Sequence, residues 1–213
     1  MTPLPRHQCL IYEGAPSRRL ATLAAIVRQK LQQNLRCLYL NSEPMVAGMR
    51  SYLAAAGVDV AKEIAENNLV LTSDRSYLID GTEFDPQSMI QGLEDALEKA
   101  LTDGYAGLWA TGDMTWEFGP TKDFSKLVEY EWRLEELFRK HPQLGGICQY
   151  HSDTLPREVL QKGLMVHRGL FINETLSLIN PHYHPAESIS LDSRQEAELE
   201  ELLQRICESE ASN

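Results

Sequence analysis

Short apolar runs rich in β-branched and aromatic residues (QCLIYE, LRCLYLN, NLVLTS, YAGLWATGD, LGGICQYH, then GLFIN and LSLIN) alternate along this chain with longer segments of helical period. The helical segments include RRLATLAAIVRQKLQQN, DPQSMIQGLEDALEKALTDG and TKDFSKLVEYEWRLEELFRKH, in which apolar residues recur every three or four positions. A strand that is apolar on both faces must be covered on both faces. The alternation therefore predicts an α/β three-layer sandwich with a mostly parallel central sheet. In such folds ligand space lies beyond the C-terminal ends of the strands, which selects Glu13 and Gly14, Asn41 to Glu43, Asp113 to Glu117, and Tyr150 to Asp153.

With 213 residues, 43% hydrophobic and 24% charged, the chain can bury a full core. A net charge of -11 with scattered basic residues argues against direct nucleic-acid binding, which needs a concentrated basic face. No run is long enough to cross a membrane and MTPLPRHQCL lacks the apolar centre of a signal peptide, so a cytoplasmic location is expected. Cys9, Cys37, Cys148 and Cys207 form no C-x-x-C pair and read as free thiols, three of them as small core hydrophobes. The reading divides the chain into a domain over residues 5–187 and an acidic C-terminal helix or tail over 188–213. Ser193 to Glu196 resemble a capping box, and Leu199, Leu202, Leu203 and Ile206 form an apolar stripe expected to pack on the domain or on a second copy.

After the first apolar run, YEGAPSRRLATL stands where a phosphate loop would lie. That loop needs G-x-x-x-x-G-K-[ST]. Counted from Gly14, the last three places hold Arg19, Leu20 and Ala21, so the second glycine, the lysine and the magnesium-binding hydroxyl are missing. Gly14, Ser17, Arg18 and Arg19 form a degenerate version that could still meet an anion at a helix start.

Other constellations carry chemistry less directly. His7 and Cys9 share one face of a strand, as do Cys148 and Tyr150; were the two strands neighbours, His151, His182 or His184 could join the thiols around a soft metal. Plain packing is the stronger reading, and no metal or other cofactor is expected. In GLWATGDMTWEFG an apolar strand ends at Asp113, followed by Met114, Trp116 and Glu117, a surface suited to a small, partly apolar ligand with one polar handle, unless Trp116 and Phe118 simply cap the sheet. Glu131 and Glu135, four apart on a helix, read as a solvated acidic face. With no nucleophile elbow and no H-E-x-x-H, no catalytic residue is assigned.

HQCLIYE, GYAGLWATGDMTW with EYEWRL after it, and GICQYH followed by His167 and NPHYHP together resemble the MEDS domain, the sensory domain of methanogen and methylotroph regulators. The resemblance implies a RecA/KaiC-like fold lacking an intact Walker A loop. It also implies a ligand-sensing module for small hydrocarbon derivatives, of a kind often fused to DNA-binding, PAS or kinase segments. Carried over by motif, the implied ligand-binding residues are His7, Cys9, Tyr12, Glu13, Asp113, Met114, Thr115, Trp116, Tyr130, Glu131, Cys148, Gln149, Tyr150 and His167. The chain departs from the family pattern at Trp109, where a basic residue is usual, and at His151 and Ser152, which replace an acidic-basic pair.

The expected function is non-enzymatic sensing of a small molecule in signal transduction or transcriptional regulation, relayed through a protein partner or a homodimer. Two competing expectations remain. One is an ATPase that uses Arg18 or Arg19 in place of the loop lysine, and the other is an interaction scaffold whose acidic tail recruits a kinase or regulator.

Overall fold

The apolar runs become strands and the periodic segments become helices. The computed structural model describes residues 6–173, 176–184 and 193–211. In chain order the elements are β1 (His7–Tyr12), a 3-10 turn (Pro16–Arg19), α1 (Leu20–Gln32), β2 (Leu35–Leu40), α2 (Glu43–Ala55), α3 (Val60–Ala65) and β3 (Leu69–Thr72). There follow β4 (Leu78–Ile79), β5 (Glu83–Phe84), α4 (Pro86–Thr102), β6 (Gly107–Asp113), α5 (Met114–Glu117), α6 (Leu127–Lys140) and β7 (Leu144–His151). The chain continues through α7 (Arg157–Val166), β8 (Gly169–Asn173), β9 (Leu176–Ile179) and α8 (Ser193–Ala211).

One sheet of seven strands runs in the order β3-β2-β6-β7-β1-β8-β9. All its pairings are parallel except the last, β8 with β9. Strands β4 and β5 form a separate hairpin too short to announce itself by periodicity.

Side chains leave the two faces of the sheet alternately and build two cores. On one face Cys9, Ile11, Cys148 and Tyr150 meet α4, α6, α7 and α8. On the other, Leu10, Tyr12, Cys37, Tyr39, Trp109 and Ile147 meet α1 and α2, with Ile64 of α3 at the edge. This is the expected three-layer sandwich. Trp109 is thus core rather than the replacement of a basic contact.

Helix starts follow local chemistry. Asp85 caps α4 by accepting from the Gln87 and Ser88 amides, and Pro86 fits the first turn, where no amide donor is needed. Asp113, the last residue of β6, turns directly into the cap of α5. Between β6 and β7 the backbones approach so closely that a Cβ on Gly146 would lie 2.3 Å from the Ala110 carbonyl oxygen.

The C-terminal helix lies on the domain. Leu199 and Leu203 are fully buried, Leu202 and Ile206 pack beside them, and Glu200 pairs with Arg157 and accepts from Gln161. The inferred domain boundary between residues 187 and 188, and the side chains of the Ser193 to Glu196 capping box, lie outside the described residues.

Candidate functional site

The implied ligand residues do not form one pocket. The pleat divides them between the two faces of the sheet, and a third group lies at the strand ends. Tyr12 and Asp113 share the α1 side, where the Tyr12 hydroxyl donates to Asp113 Oδ2 at 2.8 Å. Asp113 Oδ1 accepts the Trp116 amide at 3.2 Å, and nearby Gln149 Nε2 donates to the Thr111 hydroxyl at 2.9 Å. Burial raises the Asp113 pKa, although these donors oppose it. Both oxygens of this carboxylate are committed to holding strand ends and a helix start together.

At the strand ends, hydrogen bonds tie the loop after β1 to the loop after β7. Gly14 has a positive φ of 78°, its amide donates to Asp153 Oδ2 at 2.9 Å, and its carbonyl lies 2.8 Å from His151 Nε2. His151 also stacks on Tyr12 with ring centroids 4.9 Å apart, which takes it away from the thiols that it, His182 or His184 could have joined. Ser152 donates from its amide and its hydroxyl to the Tyr12 carbonyl. Residues 13 to 15 alone separate β1 from the 3-10 turn, while Glu13, Ser17 and Arg18 are exposed. Thr115 reaches Thr154 at 3.3 Å, and Trp116 stacks under the Arg75 guanidinium at 4.3 Å.

On the opposite face the remaining residues converge under α6. β1 and β7 are paired neighbours, with Cys9 opposite Cys148, so His7, Cys148 and Tyr150 point to one side. Glu131 descends onto them from α6 and is fully buried, which corrects the solvated acidic face expected from its spacing with Glu135. The physical reason lies across the fold: histidines and a tyrosine from distant segments supply the partners that water would otherwise provide. Glu131 Oε1 accepts the Tyr150 hydroxyl at 2.5 Å, and Oε2 lies 3.2 Å from His7 Nε2, 3.5 Å from His167 Nε2 and 3.7 Å from Cys148 Sγ. His7 Nδ1 meets Glu135 Oε2 at 2.9 Å, and Glu135 is itself held by Arg168.

The electrostatics follow from burial and proximity. Burial lowers the His7 pKa, but hydrogen bonds to Glu131 and Glu135 outweigh it and raise the net value. His167 is driven down to about 4, first by burial and then by its neighbour His7, so it is neutral at physiological pH. Burial also opposes ionisation of Glu131, but His167, His7 and Tyr150 bring its pKa below the usual carboxylate value. The Cys9 and Cys148 thiols are pushed well up by burial and by the Glu131 charge.

Beside this cluster lies an apolar cavity of about 30 Å³, bordered by Leu40, Leu93, Met114, Glu117, Tyr130 and Cys148 among others. Space of this size holds one or two water-sized groups. Glu117 is buried and its Oε2 has no hydrogen-bond partner among the described residues. Gly112 makes room for it, since a Cβ there would collide with Glu117 Oε1. Burial, then the charges of Glu131 and Asp113, raise the Glu117 pKa well above the usual range, so the folded chain retains a proton that the unfolded chain has lost. Stability should therefore fall as pH rises from about 4.5 through the folded-state pKa, by up to about 1.4 kcal/mol per pH unit. Glu117→Gln should remove this slope, which urea titrations of both proteins between pH 5 and 8 would reveal; parallel pH profiles would show that Glu117 ionises normally.

A sequence model of the family described as MEDS, "MEthanogen/methylotroph, DcmR Sensory domain", matches residues 6–168. The chain belongs to the MEDS family. The match spans the sheet from β1 to the start of β8, and with it both the buried cluster and the cavity. Among solved structures, this MEDS chain is similar to an uncharacterized protein from Pyrococcus horikoshii, determined in complex with an unknown peptide. The two share 16% identity at a TM-score of 0.58, covering 83% of this chain and 84% of the other. At that identity the likeness shows the fold alone. No curated protein matches the chain. No described helix of this MEDS protein is long and apolar enough to cross a membrane.

Sequence reasoning brought His7, Glu131, Cys148, Tyr150 and His167 into one set, and the structure joins them. It left Glu117 outside the implied ligand residues and gave Glu135 no functional place. The signal for Glu117 was an acidic residue inside an otherwise apolar helical turn, MTWEF; for Glu135 it was the i, i+4 spacing with Glu131. Met114 and Tyr130 line the cavity, whereas Trp116 is not among its lining residues.

Proposed function

We propose that this domain is a non-enzymatic sensor of a small, largely apolar molecule carrying one polar group, with the cavity between β6, β7, α4 and α6 as its binding place. The observation that carries this reading is the Glu117 carboxyl, buried in apolar surroundings with an oxygen that nothing in the described protein satisfies. A buried polar atom without a partner costs about 1–3 kcal/mol, which a ligand hydroxyl or similar group would recover on binding. Family membership supports the sensory role, and small hydrocarbon derivatives fit the size and lining of the space. The degenerate Gly14 to Arg19 segment supports a role without nucleotide turnover, because it offers neither a lysine nor a magnesium-binding hydroxyl at the required spacing.

Signalling requires that the ligand prefer one of two conformations. Helix α5 is the candidate element: it is one turn long, sits between Asp113 and the cavity, and carries both Met114 and Glu117. Its response would pass to a protein partner or a second copy in the cytoplasm. The test is titration of the full chain with methanol and monohalomethanes, followed by ligand-observed NMR. Leu93→Phe, which fills the cavity from α4, should weaken saturable binding at least tenfold while the chain stays folded. Equal affinity in the variant would remove the cavity from consideration.

A further inference from the structure

Four buried side chains from four elements or their ends converge on one point: His7 from β1, Glu131 from α6, Cys148 from β7 and His167 at the end of α7. One donor atom from each lies within 4.8 Å of every other. Four of the separations are His7 Nε2 to Glu131 Oε2, 3.2 Å; His7 Nε2 to Cys148 Sγ, 3.5 Å; His167 Nε2 to Glu131 Oε2, 3.5 Å; and Cys148 Sγ to Glu131 Oε2, 3.7 Å. Tetrahedral zinc bonds of about 2.0–2.3 Å place neighbouring ligand atoms about 3.3–3.7 Å apart, and these four separations lie close to that range.

A second observation points to a cation as the partner of these groups. His167 Nδ1 donates to the Gly163 carbonyl at 2.7 Å, which fixes the neutral tautomer with its lone pair on Nε2. That Nε2 is fully buried, has no hydrogen-bond partner among the described residues, and faces the Glu131 carboxylate at 3.5 Å. Two acceptors thus face one another in a fully buried cluster, with no donor from the described residues between them. The outer contacts have the form found around ligating histidines: a carboxylate, Glu135, holds Nδ1 of His7 and a backbone carbonyl holds Nδ1 of His167, leaving both Nε2 atoms turned inward.

We propose that His7 Nε2, His167 Nε2, Cys148 Sγ and Glu131 Oε2 bind one divalent transition-metal ion, zinc by preference. The donor set is mixed nitrogen, sulfur and oxygen, which suits a borderline ion in four-coordinate geometry. Charge balances without water: one thiolate and one carboxylate neutralise the dication, and both imidazoles bind neutral. On binding, the Cys148 sulfur exchanges its proton for a metal–sulfur bond and that proton passes to solvent, while both imidazoles bind in their neutral forms. Four protein donors leave no open position, as in structural zinc sites, so the ion would lock β1, β7, α6 and α7 together. Cys148 borders both this site and the cavity, yet neither proposal depends on the other.

The test uses the full chain, stripped with chelator and titrated with zinc and then with cobalt(II). The expected result is one equivalent bound per chain, and a cobalt adduct with tetrahedral d–d absorption and a thiolate charge-transfer band. Cys148→Ala should abolish that band. Glu135→Ala, which removes only the carboxylate behind His7, should weaken binding 10–100-fold. Cys37→Ala, on the opposite face of the sheet, should leave binding unchanged. A folded chain that takes up no stoichiometric zinc or cobalt overturns the proposal, as does a thiolate band that survives Cys148→Ala or vanishes with Cys37→Ala. Should Cys148→Ala fail to fold, unchanged affinity in Glu135→Ala overturns it.

Discussion

Glu131→Ala is expected to cost the metal-free protein about 3–5 kcal/mol, a large share of the total stability of a domain this size. The carboxylate it deletes is fully buried and serves Tyr150, His7 and Cys148 together. Without it the Tyr150 hydroxyl loses its acceptor, and the His7 ring, 2% exposed, keeps Glu135 as its one carboxylate partner among the described residues. Truncation also opens space beneath α6. Unfolding in urea with chelator present would measure the loss, and thermal unfolding should show a midpoint lower by on the order of 10 °C. A loss below about 1 kcal/mol would mean that water reaches the cluster and screens it.

Gly146→Ala is expected to be comparably damaging for a different reason. The added Cβ would sit 2.3 Å from the Ala110 carbonyl oxygen, a backbone atom. That oxygen cannot retreat, because β6 is paired to β2 on one side and to β7 on the other. Relief requires the two central strands to separate, costing about 3 kcal/mol or more. Gly92→Ala on α4 is the control: nothing lies within 4 Å of its added Cβ, and helix propensity alone should stabilise by about 0.5–1 kcal/mol. Equal effects of the two substitutions in denaturant titrations would contradict this account of the sheet centre.

The layered fold was legible because its strands are apolar on both faces and its helices on one, a difference that survives in local sequence. The β4–β5 hairpin, with two residues in each strand, and the single-turn α5 are too short for any period to establish itself. Glu131 was misread for a deeper reason. Its helix carries the i, i+4 carboxylates of an exposed face, and nothing local reveals that His7 and His167 will wait beneath it. Family resemblance assembled most of the buried cluster where spacing could not, because it records which distant residues travel together. It did not separate the two faces of the sheet, so Tyr12 and Asp113 were grouped with residues from which the sheet itself divides them.

The contact between Asp153 and the Gly14 amide has a further consequence. The chain carries its own anion on the donor that an incoming phosphate would seek. A free anion there faces a tethered rival whose effective concentration is on the order of millimolar, so occupancy by solutes at micromolar levels requires Asp153 to be drawn away first. The strand-end loop thus satisfies its own backbone donor from within the chain and needs no outside anion to complete it.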